Sequence, residues 1–327
     1  MIQDDVDIAE RALAEHDVAP QSELRLLNLS ENATYAVTDA TSGEQSIIRV
    51  HRQNYHEPHQ IESELDWLQA LRADGTVTVP GVIPARDGRR LVTVDVGGTE
   101  RHVVRFEMVA GVNPEETAVT ATDFRTLGRI TATLHEHALG WQRPATFDRF
   151  AWDWEHSLGT DPRWGNWEDA AGVGPGELAT LGSARDLLCR RLTEYGTAAD
   201  RYGLVHADLR LANLMVDAGD ITVIDFDDCG FGWLLYDFGT AVSFIEDDPA
   251  LPEWQASWLT GYREIRDLTA ADEDMLASFV LLRRMLLLAW MGTHSHSTES
   301  QTKAITYAEG SCHLAERYLS STGRSLT

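Results

Sequence analysis

Lysine is nearly missing from this sequence: Lys303 is the only one, against 26 arginines. Any chemistry that needs an amine early in the chain is therefore excluded. Cysteine is scarce as well. Cys189, Cys229 and Cys312 are odd in number and far apart, which argues for reduced thiols and a cytoplasmic location and against a disulfide framework. Positive charge is in deficit, with 27 Lys and Arg against 52 Asp and Glu and a net charge of −25 at pH 7. A general nucleic-acid partner would need a basic surplus to neutralise phosphates, so none is expected. The acidity reads as a solvated surface rather than a site for cations. Long apolar runs are absent too. A membrane span needs roughly 18 to 20 such residues, and "FVLLRRMLLLAWM" is broken by Arg283 and Arg284, so no membrane partner is expected. The first residues, "MIQDDVDIAERALAEHDV", are acidic and amphipathic, the opposite of a secretory signal.

What is present divides in two. "ELRLLNL" (23–29), "ATYAVTD" (33–39) and "QSIIRVH" (45–51) have strand composition with turn-like breaks between them. "PHQIESELDWLQALRADG" follows, with Ile61, Leu65, Leu68 and Leu71 at helical spacing and Gly75 as terminator. "RLVTVDV" and "ERHVVRFEMVAG" then read as a strand pair around Gly97 and Gly98. Beyond about Gly111 helices take over, beginning with Phe124, Leu127, Ile130 and Leu134 on one stripe and Thr122 as candidate N-cap. A Trp-rich insert at about 141–175 holds Trp141, Trp152, Trp154, Trp164 and Trp167, read as packing or as lining for an acceptor pocket. The expectation is an α+β chain: a small β-rich N-lobe over 1–108, a larger, mostly helical C-lobe over 109–327, and a cleft between them.

Two short runs carry the chemistry. "VHADLRLAN" (205–213) spaces a histidine, an acid and a carboxamide, and "ITVIDFDDCGFG" (221–232) supplies carboxylates a hairpin away. "NLMVD" and "ITVIDF" read as two strands joined by "AGD", with Asn213 starting the first and Asp225 ending the second. Asp208 precedes the first strand by a short loop. Hard oxygen ligands of this kind suit Mg²⁺. In a phosphoryl-transfer plan, Asp208 accepts the proton of the attacking hydroxyl while Asn213 and Asp225 hold the metal. Position and charge neutralisation are then the whole task. His206 reads as a brace for its loop. Asp227 and Asp228 read as solvated turn carboxylates or as helpers at the metal. His294 and His296 in "GTHSHS" lack the partners of a metal site.

"VHADLRLANLMV" followed by "VIDFDDCGFGWLLYDFG" resembles the aminoglycoside phosphotransferase and choline kinase superfamily, whose catalytic loop has the form H-x-D-x-x-x-x-N. Within it, "RWGNW" and the tail around "RRMLLLAWMGTHS" are most similar to the type II homoserine kinases and the stress-response kinase group. The resemblance implies a bilobal protein-kinase-like fold and ATP or GTP as co-substrate with a small hydroxyl-bearing acceptor. It makes Asp237 of "YDFG" a structural brace. It also implies a phosphate clamp from strand "SIIRVHR" paired with a helix glutamate, here Arg49 and Glu64. The usual residue is lysine, and arginine is not a neutral exchange for it. The phosphate-covering turn, "LSENATY", lacks a G-x-G-x-x-G pattern, leaving Ser30, Asn32 and Thr34 as stand-ins. In "FEMVAGVNP", backbone around Glu107 and Val109 is expected to meet the purine edge, with Met108 and Phe106 as apolar walls. Other readings compatible with the residues are a protein Ser/Thr kinase of the stress-response type, a nucleotide-binding pseudokinase and, last, a metal-dependent phosphoester hydrolase. Neither the acceptor molecule nor the oligomeric state is encoded legibly.

Overall fold

The computed structural model describes residues 2–29, 31–114, 119–294 and 298–326. Its contacts divide the chain into two compact units: Met1–Val112 with Gln142–Arg149 and Leu214–Asp227, and Asn113–Trp141 with Phe150–Asn213 and Asp228–Thr327. This differs from a single cut at 108/109, because the chain returns twice to the first unit. Elements are numbered along the chain.

The first unit is built on a five-stranded antiparallel sheet. Helix α1 (Ile2–Leu13) precedes β1 (Glu23–Leu29), β2 (Ala33–Thr38) and β3 (Gln45–Val50); helix α2 (Pro58–Asp74) follows, then β4 (Leu91–Val96) and β5 (Thr99–Glu107). The order is β1-β2-β3-β5-β4. One face of the sheet is closed by α1, whose Ile8, Ala9 and Ala12 pack with Tyr35, Val37, Ile48, Val92 and Val103. Helix α2 starts at Pro58, where a missing N–H costs nothing, and stops at Gly75 in the left-handed region (φ 62°), whose N–H caps Leu71 O. Its stripe of Ile61, Leu65, Leu68 and Leu71 is buried. The hairpin of β8 (Leu214–Asp217) and β9 (Asp220–Val223) joins this unit through backbone bonds. Val112 and Val216 exchange N–H···O bonds of 2.9 Å each, and Val223 N–H donates to Thr78 O at 2.9 Å.

The second unit is mostly helical: α3 (Ala121–Gly140), α4 (Trp154–Leu158), α5 (Pro175–Tyr195), α6 (Tyr236–Ala241), α7 (Leu251–Tyr262), α8 (Ala270–Asp274), α9 (Leu276–Thr293) and α10 (Thr298–Ser320). Three short strands, β6 (Ala151–Trp152), β7 (Tyr202–Val205) and β10 (Gly230–Trp233), form a sheet in the order β6-β10-β7. Helix α3 begins two residues earlier than the sequence suggests: Thr120, not Thr122, is the N-cap, accepting from Asp123 N–H while Asp123 accepts from Thr120 N–H. The α3–α7 crossing is close enough that only glycine fits. A Cβ on Gly128 would strike the Trp258 carbonyl oxygen, and one on Gly261 that of Arg125. Helix α9 is buried from Leu276 to Met291, and apolar there except for Ser278 and two arginines, so its hydropathy is that of a core helix. In the insert, Trp152, Trp164 and Trp167 are buried, which makes them packing; Trp141 and Trp154 are half-buried.

Candidate active site

In the first unit the site residues gather around Arg49. On β3 this residue is opposite Thr34 of β2, so the two share a sheet face. Arg49 is 6% exposed and Glu64, from α2, is fully buried. Arg49 Nη2 donates to Glu64 Oε1 at 2.7 Å and to Oε2 at 2.8 Å. Its other terminal nitrogen lies 3.7 Å from Asp225 Oδ1, and Nη2 is 3.9 Å from Asp227 Oδ1. Burial alone would ease the proton off Arg49, but Glu64, Asp227 and Asp225 outweigh it and hold the guanidinium charged. Asp225 does not end β9 as expected. It lies two residues past Val223, in a left-handed conformation (φ 63°) rare for a non-glycine residue, with its side chain 52% exposed.

Asp227 is the surprise of this unit. Rather than a solvated turn carboxylate, it is 5% exposed. Asn32 Nδ2 donates to its Oδ2 at 2.8 Å, while Oδ1 lies 3.3 Å from His51 Nδ1 and 3.5 Å from His56 Nε2. Burial pushes its proton affinity up, but His56, Arg49 and the bond from His51 prevail and keep the carboxyl well below the usual range. Burial, aided by Arg49, moves the His51 imidazole the other way, down to about 4. Asn32 is committed on both sides, since its Oδ1 accepts from Arg52 N–H at 3.0 Å. It therefore pins the β1–β2 turn, with one amide hydrogen on Asp227. Ser30 lies outside the described residues.

The expected purine edge is also altered. Glu107 N–H donates to Gly81 O at 2.8 Å and is not available, because the segment at 81–83 runs beside the end of β5. Its carboxylate accepts from Gly81 N–H at 3.1 Å and pairs with Arg72 at 3.1 Å. Met108 and Val109 follow outside any strand, half-buried, and Phe106 packs 5.0 Å below the Arg49 guanidinium.

In the second unit the loop after β7 is suspended from α6. Asp237, fully buried, accepts from Ala207 N–H at 2.8 Å and His206 N–H at 3.2 Å, and His135 Nε2 meets it at 3.1 Å. Thr240 Oγ1 accepts from Leu209 N–H at 3.0 Å. His206 Nδ1 accepts from Asp208 N–H at 3.3 Å. Ala207 is held at φ 66°, a strained value for a residue with a Cβ. Asn213 ends a 3-10 turn (Leu211–Asn213) rather than starting β8, and its Nδ2 donates to Asp208 O at 2.7 Å and Asp208 Oδ2 at 2.8 Å. The second carboxylate oxygen of Asp208 meets Arg283 Nη2 of α9 at 2.5 Å.

The structure thus brings Asp208 and Asn213 together in one unit and Arg49, Glu64, Thr34 and Asp225 in the other. Each unit offers oxygen of the kind that suits a hard divalent cation. Both Asn213 amide hydrogens are spent on Asp208, so the oxygen is the atom left for a ligand, and the Asp225 carboxylate is half-exposed. His294 Nδ1 lies 3.0 Å from Trp290 O; His296 falls outside the described residues. Sequence reasoning missed Arg283, His51 and His56, and left Asp227 open between a turn carboxylate and a helper at the metal. A signal existed for the first: a charge inside an otherwise apolar helix must find a partner.

Comparisons with known proteins agree with one another. Residues 23–273 match the phosphotransferase enzyme family. A curated relative, amicoumacin kinase of Bacillus subtilis (strain 168), is 29% identical over 236 residues, covering 68% of this chain and 67% of that protein. The solved structure of a microcompartment-associated aminopropanol kinase is 67% identical, with a TM-score of 0.93 over 98% of this chain and 100% of the other. The amicoumacin kinase hAmiN, solved in complex with AMP-PNP, Ca²⁺ and Ami, shares the fold at 21% identity, with a TM-score of 0.77 over 95% of each chain.

Proposed function

The chain belongs to the phosphotransferase enzyme family and is a small-molecule kinase with an alcohol group as acceptor, and on that premise we propose its reaction in detail. ATP is the donor, Mg²⁺ the metal, and a small amino alcohol of the aminopropanol kind the acceptor. The near-full-length likeness to the aminopropanol kinase carries this reading. The relative holding AMP-PNP with Ca²⁺ supports an adenine nucleotide with a divalent cation.

Asp208 orients the acceptor hydroxyl. The hydroxyl oxygen bonds to the γ-phosphorus, the bond from that phosphorus to the β–γ bridging oxygen breaks, and ADP departs. The hydroxyl proton passes to the Asp208 carboxylate and on to water, late in a loose transition state. Asn213 Oδ1 and the Asp225 carboxylate hold the metal, which supplies positive charge to the phosphate oxygens. Arg49, braced by Glu64, clamps the phosphates in place of the usual lysine, with Thr34 beside it. The purine lies along Met108 and Val109, now without help from the Glu107 N–H.

The test is a panel of aminopropanol, ethanolamine, choline, homoserine and an aminoglycoside, each with ATP and Mg²⁺, read by ADP release and phosphorus NMR. A phosphate ester on aminopropanol, formed faster than on the others, is the expected result. Phosphate found only on protein serines, or no turnover of any alcohol, would discard the reading. No specific observation favours the protein-kinase or pseudokinase alternatives.

A further inference from the structure

We infer that Arg283 is a positioning residue for phosphoryl transfer: it fixes the Asp208 carboxylate in one orientation, leaving Oδ2 to face the acceptor hydroxyl. This rests on the role proposed above for Asp208.

Arg283 is 3% exposed on a helix that is apolar around it except for Arg284, a setting in which a charge persists only when paired and hydrogen-bonded. Its nitrogens are distributed over one small region. Nε donates to Ser243 Oγ at 3.0 Å, Nη1 to Ala207 O at 3.3 Å and Tyr236 Oη at 3.4 Å, and Nη2 to Asp208 Oδ1 at 2.5 Å. Trp164 of the insert closes the remaining side, its ring centroid 5.3 Å from the guanidinium. Among the described residues, Asp208 is the one carboxylate with which Arg283 forms an ion pair.

The neighbouring arginine shows what a purely structural pair looks like. Arg284 ties α9 to α10 and the segment after α6 through Glu246 (2.7 Å), Asp247 (3.1 Å), Ser311 and Tyr307, far along the chain from the loop of Asp208. Arg283 instead grips two consecutive loop residues, the strained Ala207 and Asp208 itself. With Asn213 on Oδ2, each oxygen of the carboxylate has its own tether, and the plane of the carboxyl group is set. A displacement of about 1 Å at a reacting group costs on the order of 100-fold in rate. Loss of one tether should therefore appear in kcat rather than in nucleotide binding.

The experiment is a double-mutant cycle on the full chain, with ATP, Mg²⁺ and the alcohol that the wild type turns over. Arg283→Gln is expected to lower kcat about 100-fold, with KM for ATP changed less than about threefold, and Arg283→Lys to recover at least about tenfold of that loss. In an Asp208→Asn background, Arg283→Gln should cost less than about threefold more, because its effect runs through the same carboxylate. Undiminished kcat in Arg283→Gln, beside a collapse in Asp208→Asn, overturns this inference alone. Losses that simply multiply in the double variant overturn it as well, since they mean a structural role. Undiminished kcat in Asp208→Asn overturns the underlying assignment of Asp208. Should Arg283→Gln not fold, Arg283→Lys runs through the same cycle, with a kcat loss of up to about tenfold expected that shrinks in the Asp208→Asn background; an undiminished kcat or a loss that simply multiplies overturns the inference.

Discussion

Arg49 in β3 and Arg283 in α9 are both buried, yet they keep different company. Around Arg49 stand Glu64, Asp225 and Asp227, with the buried Arg149 guanidinium on the Asp227 carbonyl and His51 neutral at ordinary pH, so two cations face three anions. Around Arg283 stand the Asp208 carboxylate, two hydroxyls and a carbonyl, with Arg210 3.8 Å from the same carboxylate and Asp228 adding its charge, so cations and anions balance. The unmatched anion is the half-exposed Asp225 carboxylate, so the first cluster has room for one more cation. The second is complete as it stands. Adaptability belongs to the cluster proposed to meet the phosphates and to supply one metal ligand, and rigidity to the loop proposed to meet the alcohol and to carry the other ligand, Asn213.

The largest expected effect tests the rigid half. Asp208→Ala should lower kcat by about 10³-fold, the range seen when a positioned proton acceptor is removed, as read in steady-state assays. A kcat within tenfold of wild type would break the contrast. Next comes the adaptable half. Arg49→Met strands Glu64 in the interior, and removing one member of a buried pair costs about 3–5 kcal/mol, visible as a lower Tm. Arg49→Lys should keep the fold but raise KM for ATP, because a single ammonium cannot serve the same array of oxygens. An unaltered Tm in Arg49→Met would mean the excess of anions is harmless.

Acid should then separate the two units. The unfolded His51 binds a proton near pH 6.5, while the folded one does so only near 4. Between those values the unfolded state holds more protons, so stability falls as pH falls through the window, by on the order of 3 kcal/mol in full. His56 shifts in the same direction. Hydrogen exchange at pH 7 and pH 5 should show protection lost in peptides of β2, β3 and β5 before those of α9; equal loss would contradict the idea. The smallest effect is Gly128→Ala in α3, where the added methyl presses on α7 and costs about 1–3 kcal/mol with KM unchanged.

Much of this was legible because it is local. The strand breaks at 31–32 and 39–44, the α2 stripe ended by Gly75 and the spacing of His206, Asp208 and Asn213 are all readable within a few residues. What was hidden depends on distance along the chain. Arg283 and Asp208 are separated by 75 positions, and nothing near "LLRRML" announces which acid that helix will meet. Asp227 looked like one more acid in a turn because its histidines arrive from the β3–α2 connection, far upstream. The N-cap of α3 was misplaced because Thr120 and Thr122 both precede a helical run, and only the position of Asp123 as third residue decides between them.

The hairpin of β8 and β9 belongs to the first unit although it is encoded a hundred residues after Val112. A ribosome delivering this chain must therefore extend it past Asp227 before the N-terminal portion has all its strands. Until then the backbone edges at Thr78 and Val112 wait for partners not yet made, so a fragment ending at 112 should be cut readily by protease where the whole chain resists.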